Sequence, residues 1–267
     1  MTEAVRGGAG APPGGEEGVS PELAAARRLA EAFETGAPLA PLPGGLLPRT
    51  RREGETIAAL TAEALGLVAC GVRVRPGPGG EAVAGPVPPA RLLPDGAVVA
   101  SATLRHPRIT AAVAAVLAAD LAPDDAPDDA APAYARLYPA LDLAATRLRD
   151  PPGTAALSAA DLGELGLLVL GRPVEPPGAT ASGAVPWDVL SGTVPVRLGP
   201  PGRRAAGVGV DLAAALAGAA GHARRLGGLP AGALLVAAGL TPPVVPGGEG
   251  ALAASFGRLG RVRVLFA

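Results

Sequence analysis

Few side chains in this sequence can do covalent or acid–base work, and the shortage narrows the chemistry. No lysine occurs among the 267 residues, which excludes Schiff-base formation and a lysine general base. The single cysteine, Cys70, allows neither an internal disulfide nor a cysteine-only metal cluster. It sits in an apolar run and reads as a small core residue. His222 stands beside Arg224 and Arg225 with no second His or Cys at ligand spacing, so it reads as an ordinary, partly exposed helix histidine. The aspartates of Pro123-Asp124-Asp125-Ala126-Pro127-Asp128-Asp129 lack EF-hand spacing and are interrupted by proline, which makes a solvated loop of them. Arginines and scattered carboxylates remain. Arg73, in Gly71-Val72-Arg73-Val74-Arg75, could clamp a carboxylate but cannot shuttle a proton; a solvent-facing arginine on a strand is the alternative. Asp161, in Leu157-Ser158-Ala159-Ala160-Asp161-Leu162, reads as a site acid or as the capping-box partner of Ser158.

The elements that would position these groups follow from periodicity. Residues 1–18 are rich in Gly, Pro and Glu with little to bury, and read as a disordered tail. Ser20-Pro21-Glu22 starts a helix with Ser as N-cap and Pro at the first helical position; Leu23, Ala26, Leu29, Ala30 and Phe33 share one face, and Gly36 stops it. A Pro/Gly connector leads to a second helix, with Ile57, Leu60, Thr61, Ala64 and Leu65 at helical spacing. Ile109 to Leu117 is small and apolar throughout, the pattern of a strand buried on both faces. Thr193 to Leu198 and Ala205 to Val210 read as paired strands, and Asp211 caps an Ala/Leu helix reaching about Leu226.

The formal net charge of −1 gives no reason to expect nucleic acid or an anionic membrane as partner. Met1 to Val19 has no apolar signal region, and no apolar run reaches the ~18 residues of a membrane span. A soluble, cytoplasmic protein is expected. The alanine, glycine and proline content is that of a GC-rich genome.

Four segments carry a family resemblance. His106-Pro107-Arg108-Ile109-Thr110-Ala111-Ala112, closing on Ala119-Asp120-Leu121, and Tyr138-Pro139-Ala140-Leu141-Asp142-Leu143-Ala144-Ala145-Thr146-Arg147 are the first two. Leu229-Pro230-Ala231-Gly232 running to Thr241, and Phe256-Gly257-Arg258-Leu259-Gly260 leading to Phe266, are the others. In order and spacing they resemble the fumarylacetoacetate hydrolase superfamily, in its 2-keto-4-pentenoate hydratase and 4-oxalocrotonate decarboxylase branch. The resemblance implies an α+β fold, a mixed β-roll with an N-terminal helical region. The divisions expected are a tail over 1–18, the helical region over 19–70 and the roll over 71–267.

The same resemblance supplies the candidate site. The branch holds magnesium or manganese on three glutamates, and here those positions are Thr110, Ala112 and Asp142. No metal ligand set and no cofactor are therefore expected. Arg73 falls where the branch has a lysine, Thr241 where it faces a substrate carboxylate, and Asp161 in its Ala-Asp-Asn segment. Asp142, Arg73 and Asp161 are the candidate catalytic residues; Thr241, Thr110 and Arg147 are the candidate substrate-binding residues. The expected function is a repurposed, metal-independent lyase, hydratase-like or cyclase-type enzyme on a 2-oxo or polyketide-like carbonyl compound, in bacterial specialised metabolism. The alternatives are a non-catalytic homologue, serving as partner subunit or ligand-binding protein, and a metal-dependent hydratase or decarboxylase. A homodimer or larger homo-oligomer is the expected assembly.

Overall fold

Ser20 caps the first helix as its sequence requires: its hydroxyl oxygen accepts from the Leu23 amide at 3.2 Å, and Gly36 closes the helix with φ 68°. The computed structural model describes residues 19–123, 132–174, 190–202 and 207–267. The expected tail, residues 124–129 of the acidic loop and the start of the 205–210 strand lie outside the described residues. Helix α1 spans Pro21–Thr35, α2 Arg51–Ala64, α3 Ala155–Ala160 and α4 Leu212–Arg225. Among the described residues no helix is long and apolar enough to cross a membrane.

Two sheets carry the rest. The first has strands β1 (Gly71–Pro76), β2 (Ala82–Pro86), β3 (Leu92–Pro94), β5 (Arg108–Leu117), β6 (Tyr134–Ala144), β7 (Leu167–Leu170) and β10 (Leu234–Ala237). Their order is β2-β1-β10-β5-β6-β7-β3. The second combines β4 (Val98–Val99), β8 (Thr193–Gly199), β9 (Val208–Asp211), β11 (Gly250–Ser255) and β12 (Arg261–Phe266), in the order β4-β12-β11-β8-β9. The result is the expected mixed α+β architecture of curled sheets.

Alternation along the strands sends side chains to opposite faces of the first sheet. Ile109, Ala111, Val113 and Ala115 of β5, Leu141 and Leu143 of β6, and Leu235 of β10 face inward. There they pack with Leu252, Phe256, Val262 and Val264 of the second sheet region and with Leu212 and Leu216 of α4. Ala112, Ala114, Ala140 and Val236 line the other face and are equally buried. Burial on both sides is why β5 reads as one apolar run. The helices α1 and α2 form their own cluster with Leu148 and Ala160, which ties them to the end of β6 and to α3.

Candidate functional site

Arg73 and Arg75 alternate with the inward Val72 and Val74, so both point to the face lined by alanines. Asp142 lies on that face of β6, paired in register with Thr110 of β5. Between β1 and β6 stand β10 and β5, three strand steps or about 14 Å on a flat sheet. A single arginine cannot span that distance, yet Arg73 Nη1 donates to Asp142 Oδ1. The sheet is therefore curled and this face concave. Ala112, Ala114 and Ala140 supply only methyl groups there, which leaves room above the strands for two guanidinium groups.

A second carboxylate completes the cluster. Glu164 takes Arg75 Nη1 at 2.7 Å in an ion pair, accepts from Arg108 Nη2 at 2.7 and 2.5 Å, and accepts from Ser158 Oγ at 2.7 Å. Burial would raise the Glu164 pKa, but Arg75, the Ser158 hydroxyl and Arg108 together hold it below the usual carboxylate range. Burial pushes the Arg73 guanidinium pKa down, against the charge of Asp142. Arg73, Arg75, Asp142 and Glu164 are 1–5% exposed; Arg108, a third exposed in its side chain, is where the cluster meets solvent. Several buried polar atoms still lack a hydrogen-bond partner: Nε of Arg73, Nε of Arg75 and Oδ2 of Asp142.

Glu164 reaches this cluster through an unusual turn. Leu162, Gly163 and Glu164 all have positive φ, at 53, 65 and 60°, a conformation that non-glycine residues adopt only under constraint. The turn is pressed onto β2: a Cβ on Gly85 would lie 2.1 Å from the Leu162 carbonyl oxygen, and one on Gly163 would lie 2.7 Å from that of Ala84. The Gly163 carbonyl accepts from Arg73 Nη2.

The six candidates separate into groups. Arg73 and Asp142 come together, and the solvent-facing reading of Arg73 fails because the curled sheet buries it. Arg147 and Asp161 form a second pair: Asp161 accepts from Arg147 Nε at 2.7 Å and from Thr146 Oγ at 2.6 Å. Asp161 is thus no capping-box partner; Thr154 caps α3, and Ser158 donates to Glu164. Thr110 and Thr241 use their hydroxyl oxygens on backbone, accepting from the amides of Gly239 and Ala111 at 3.1 Å each. Arg75, Arg108, Ser158 and Glu164 join the cluster without being among the candidates the sequence offers. Strand alternation alone puts Arg75 beside Arg73, so that signal was available. His222 is 1% exposed, not partly exposed, with Nε2 3.6 Å from Glu55 Oε1 and Nδ1 3.2 Å from Arg225 Nη2. Burial, then the charges of Arg225 and Arg51, pull its pKa down to about 4.

Solved structures share this arrangement of strands. The 4-oxalocrotonate decarboxylase from Pseudomonas putida G7, complexed with magnesium and adipate, superposes with a TM-score of 0.73 at 19% identity over 92% of this chain and 97% of that one. The fold is that of the fumarylacetoacetate hydrolase superfamily. A 5-carboxymethyl-2-hydroxymuconate delta-isomerase from Mycobacterium smegmatis is more distant, with a TM-score of 0.51 at 11% identity over 75% of this chain and 78% of that one. The fumarylpyruvate hydrolase from Pseudomonas aeruginosa, with Mn2+ and pyruvate, gives 0.50 at 13% over 70% of this chain and 78% of that one. No family model and no curated protein matches the sequence.

These neighbours correct the expectation of a cofactor-free protein: on the same superfamily fold the decarboxylase holds magnesium or calcium, and the hydrolase manganese. The side chains here, as arranged, do not fit such an ion. A hard cation needs several oxygen ligands. Among the described residues no group of three or more His, Cys, Asp or Glu could hold a metal. Asp142 and Glu164 are both engaged by guanidinium groups, and Ala112 has no donor to offer.

Proposed function

We propose that the chain is an enzyme of lyase or hydratase kind acting on a small 2-oxo acid, with the concave face as its site. The observation that carries this is the set of buried polar atoms on Arg73, Arg75 and Asp142 that make no hydrogen bond. Buried polar groups in proteins are almost always paired; Arg75 Nε and Asp142 Oδ2 stand 3.8 Å apart as an ion pair without a hydrogen bond, and with Arg73 Nε they offer donors and an acceptor to a bound anion that also exchanges a proton. Arg73 and Arg75 bind the substrate carboxylate and stabilise negative charge developing on the carbonyl oxygen, where low dielectric strengthens the effect. Asp142 Oδ2 moves the proton at the carbon beside that carbonyl. Arg108 sits at the solvent side of entry. The neighbours' decarboxylase, hydrolase and isomerase activities on such acids support the substrate class.

The test is turnover of 2-hydroxypenta-2,4-dienoate, followed by its ultraviolet absorbance, with and without added magnesium or manganese. Turnover is expected; Asp142→Asn should abolish it in protein shown to be folded, and Arg73→Ala should chiefly weaken binding. Unchanged rates in Asp142→Asn would sink the assignment. One observation favours a second reading, a ligand-binding or partner subunit: the guanidinium groups already fill the concave face and neutralise its carboxylates. Saturable binding of the dienoate without turnover would establish that reading instead.

A further inference from the structure

A separate cavity of about 320 Å³ opens where the end of α1 meets the end of β6. Arg91, Arg105 and Arg147 all line it, together with Phe33, and no carboxylate residue does. Arg147 is committed: its guanidinium donates to Asp161 and to the carbonyls of Leu165 and Ala145. Arg91 and Arg105 are different. Among the described residues neither side chain has a hydrogen-bonded or ion-paired partner, and both are half-buried. The Arg91 guanidinium carbon lies 4.8 Å from the centre of the Phe33 ring, and that of Arg147 lies 5.6 Å from the same ring. Stacking on a ring uses the flat face of a guanidinium and leaves its in-plane N–H donors free. Two cations held against one ring repel each other, and burial followed by the charge of Arg147 lowers the Arg91 pKa. Such an arrangement is stabilised by an anion placed between the donors.

We infer that this cavity binds a small oxyanion, a carboxylate or phosphate group, on the free N–H donors of Arg91 and Arg105 with Arg147 as the fixed wall. Planar guanidinium groups match both oxyanions in two-point hydrogen bonding. The site is distinct from the concave face, and its test reads binding, not turnover.

The experiment is calorimetric titration of the full chain with inorganic phosphate and, separately, with adipate, at constant ionic strength in chloride. Saturable binding of either is expected, weakened about tenfold or more by Arg91→Gln and by Arg105→Gln, as loss of a charge-assisted hydrogen bond implies. The preferred probe tells a phosphorylated ligand from a carboxylic acid. Arg105 makes no side-chain hydrogen bond or ion pair among the described residues, so Arg105→Gln decides the matter if Arg91→Gln proves unstable. Equal binding in wild type and both variants would place the anion elsewhere and overturn the inference. So would absence of saturation by either probe at roughly 10 mM, near the weak limit of specific binding; the arginines would then serve only the carbonyl end of α1.

Discussion

Asp142 and Arg73 are each other's main counter-charge in a face from which water is excluded, so neither can be changed alone without leaving a buried ion. Removing one partner of such a pair costs about 3–5 kcal/mol. Asp142→Leu and Arg73→Met should each lower the chemical-denaturation midpoint strongly. The double variant should recover much of the loss, since apolar replacement of both partners is often neutral. Additive losses would show that Arg75, 3.8 Å from the same carboxylate, takes over. Glu164 adds a pH dependence. Its folded pKa is depressed, so its stabilisation is present above the unfolded value near 4.5 and is lost as pH falls through the folded one. Glu164→Gln should flatten the acid limb of the stability curve. His222 has the opposite chemistry and the same sign. Its folded pKa of about 4 lies below the ordinary 6.5, so the unfolded chain binds the proton first. Stability is full above pH 6.5 and falls as the pH drops from 6.5 towards 4. Melting scans of His222→Gln should lack that slope.

Among the elements, close backbone approach decides more than side-chain packing. Helix α2 meets α3 at Gly54, where a Cβ would lie 2.1 Å from the Ala156 carbonyl oxygen. Backbone cannot step aside as a side chain can, so Gly54→Ala should cost about 1–3 kcal/mol in thermal or chemical unfolding. Gly45→Ala, with nothing within 4 Å, is the control expected to stay near wild type. How much of these elements the sequence discloses differs by cause. Helix α1 is legible to its caps because Ser20, Pro21 and Gly36 act locally. Strand β5 is legible because both its faces are buried. Glu164 is hidden because its role depends on a left-handed turn built partly on non-glycine residues, which no local propensity announces. His222 is misread because Ala219 through Arg224 are all buried: α4 is covered by the sheet on one side and approached by Glu55 of α2 on another, and a single-face helical period cannot show two partners.

At the scale of the molecule, chain order and sheet order part company. Strand β10, late in the chain, lies between β1 and β5 and pairs with both. The concave face therefore forms only after most of the chain has been joined. Long-range pairings of this kind slow folding, and refolding from denaturant should regain helical signal well before the stability contributed by Asp142. The resemblance in four separated segments anticipated this architecture, because their order along the chain is retained. Their chemistry was less legible: Pro107-Arg108-Ile109 flags an arginine, but its partner, Glu164, is reached only through the three-dimensional turn.

That turn faces two ways. Asp161 holds Arg147 on the cavity side, while the Gly163 carbonyl and the Glu164 carboxylate hold Arg73 and Arg75 on the other. The Glu164 amide donates to the Asp161 carbonyl at 2.8 Å, and the Glu164 carbonyl accepts from Ala145 at 3.2 Å. An anion arriving on one side and a keto acid on the other would therefore press on the same short piece of backbone. Amide exchange at Glu164 becomes a shared gauge: slowed by phosphate and by the dienoate alike, it would register communication between two compartments that exchange no side chain.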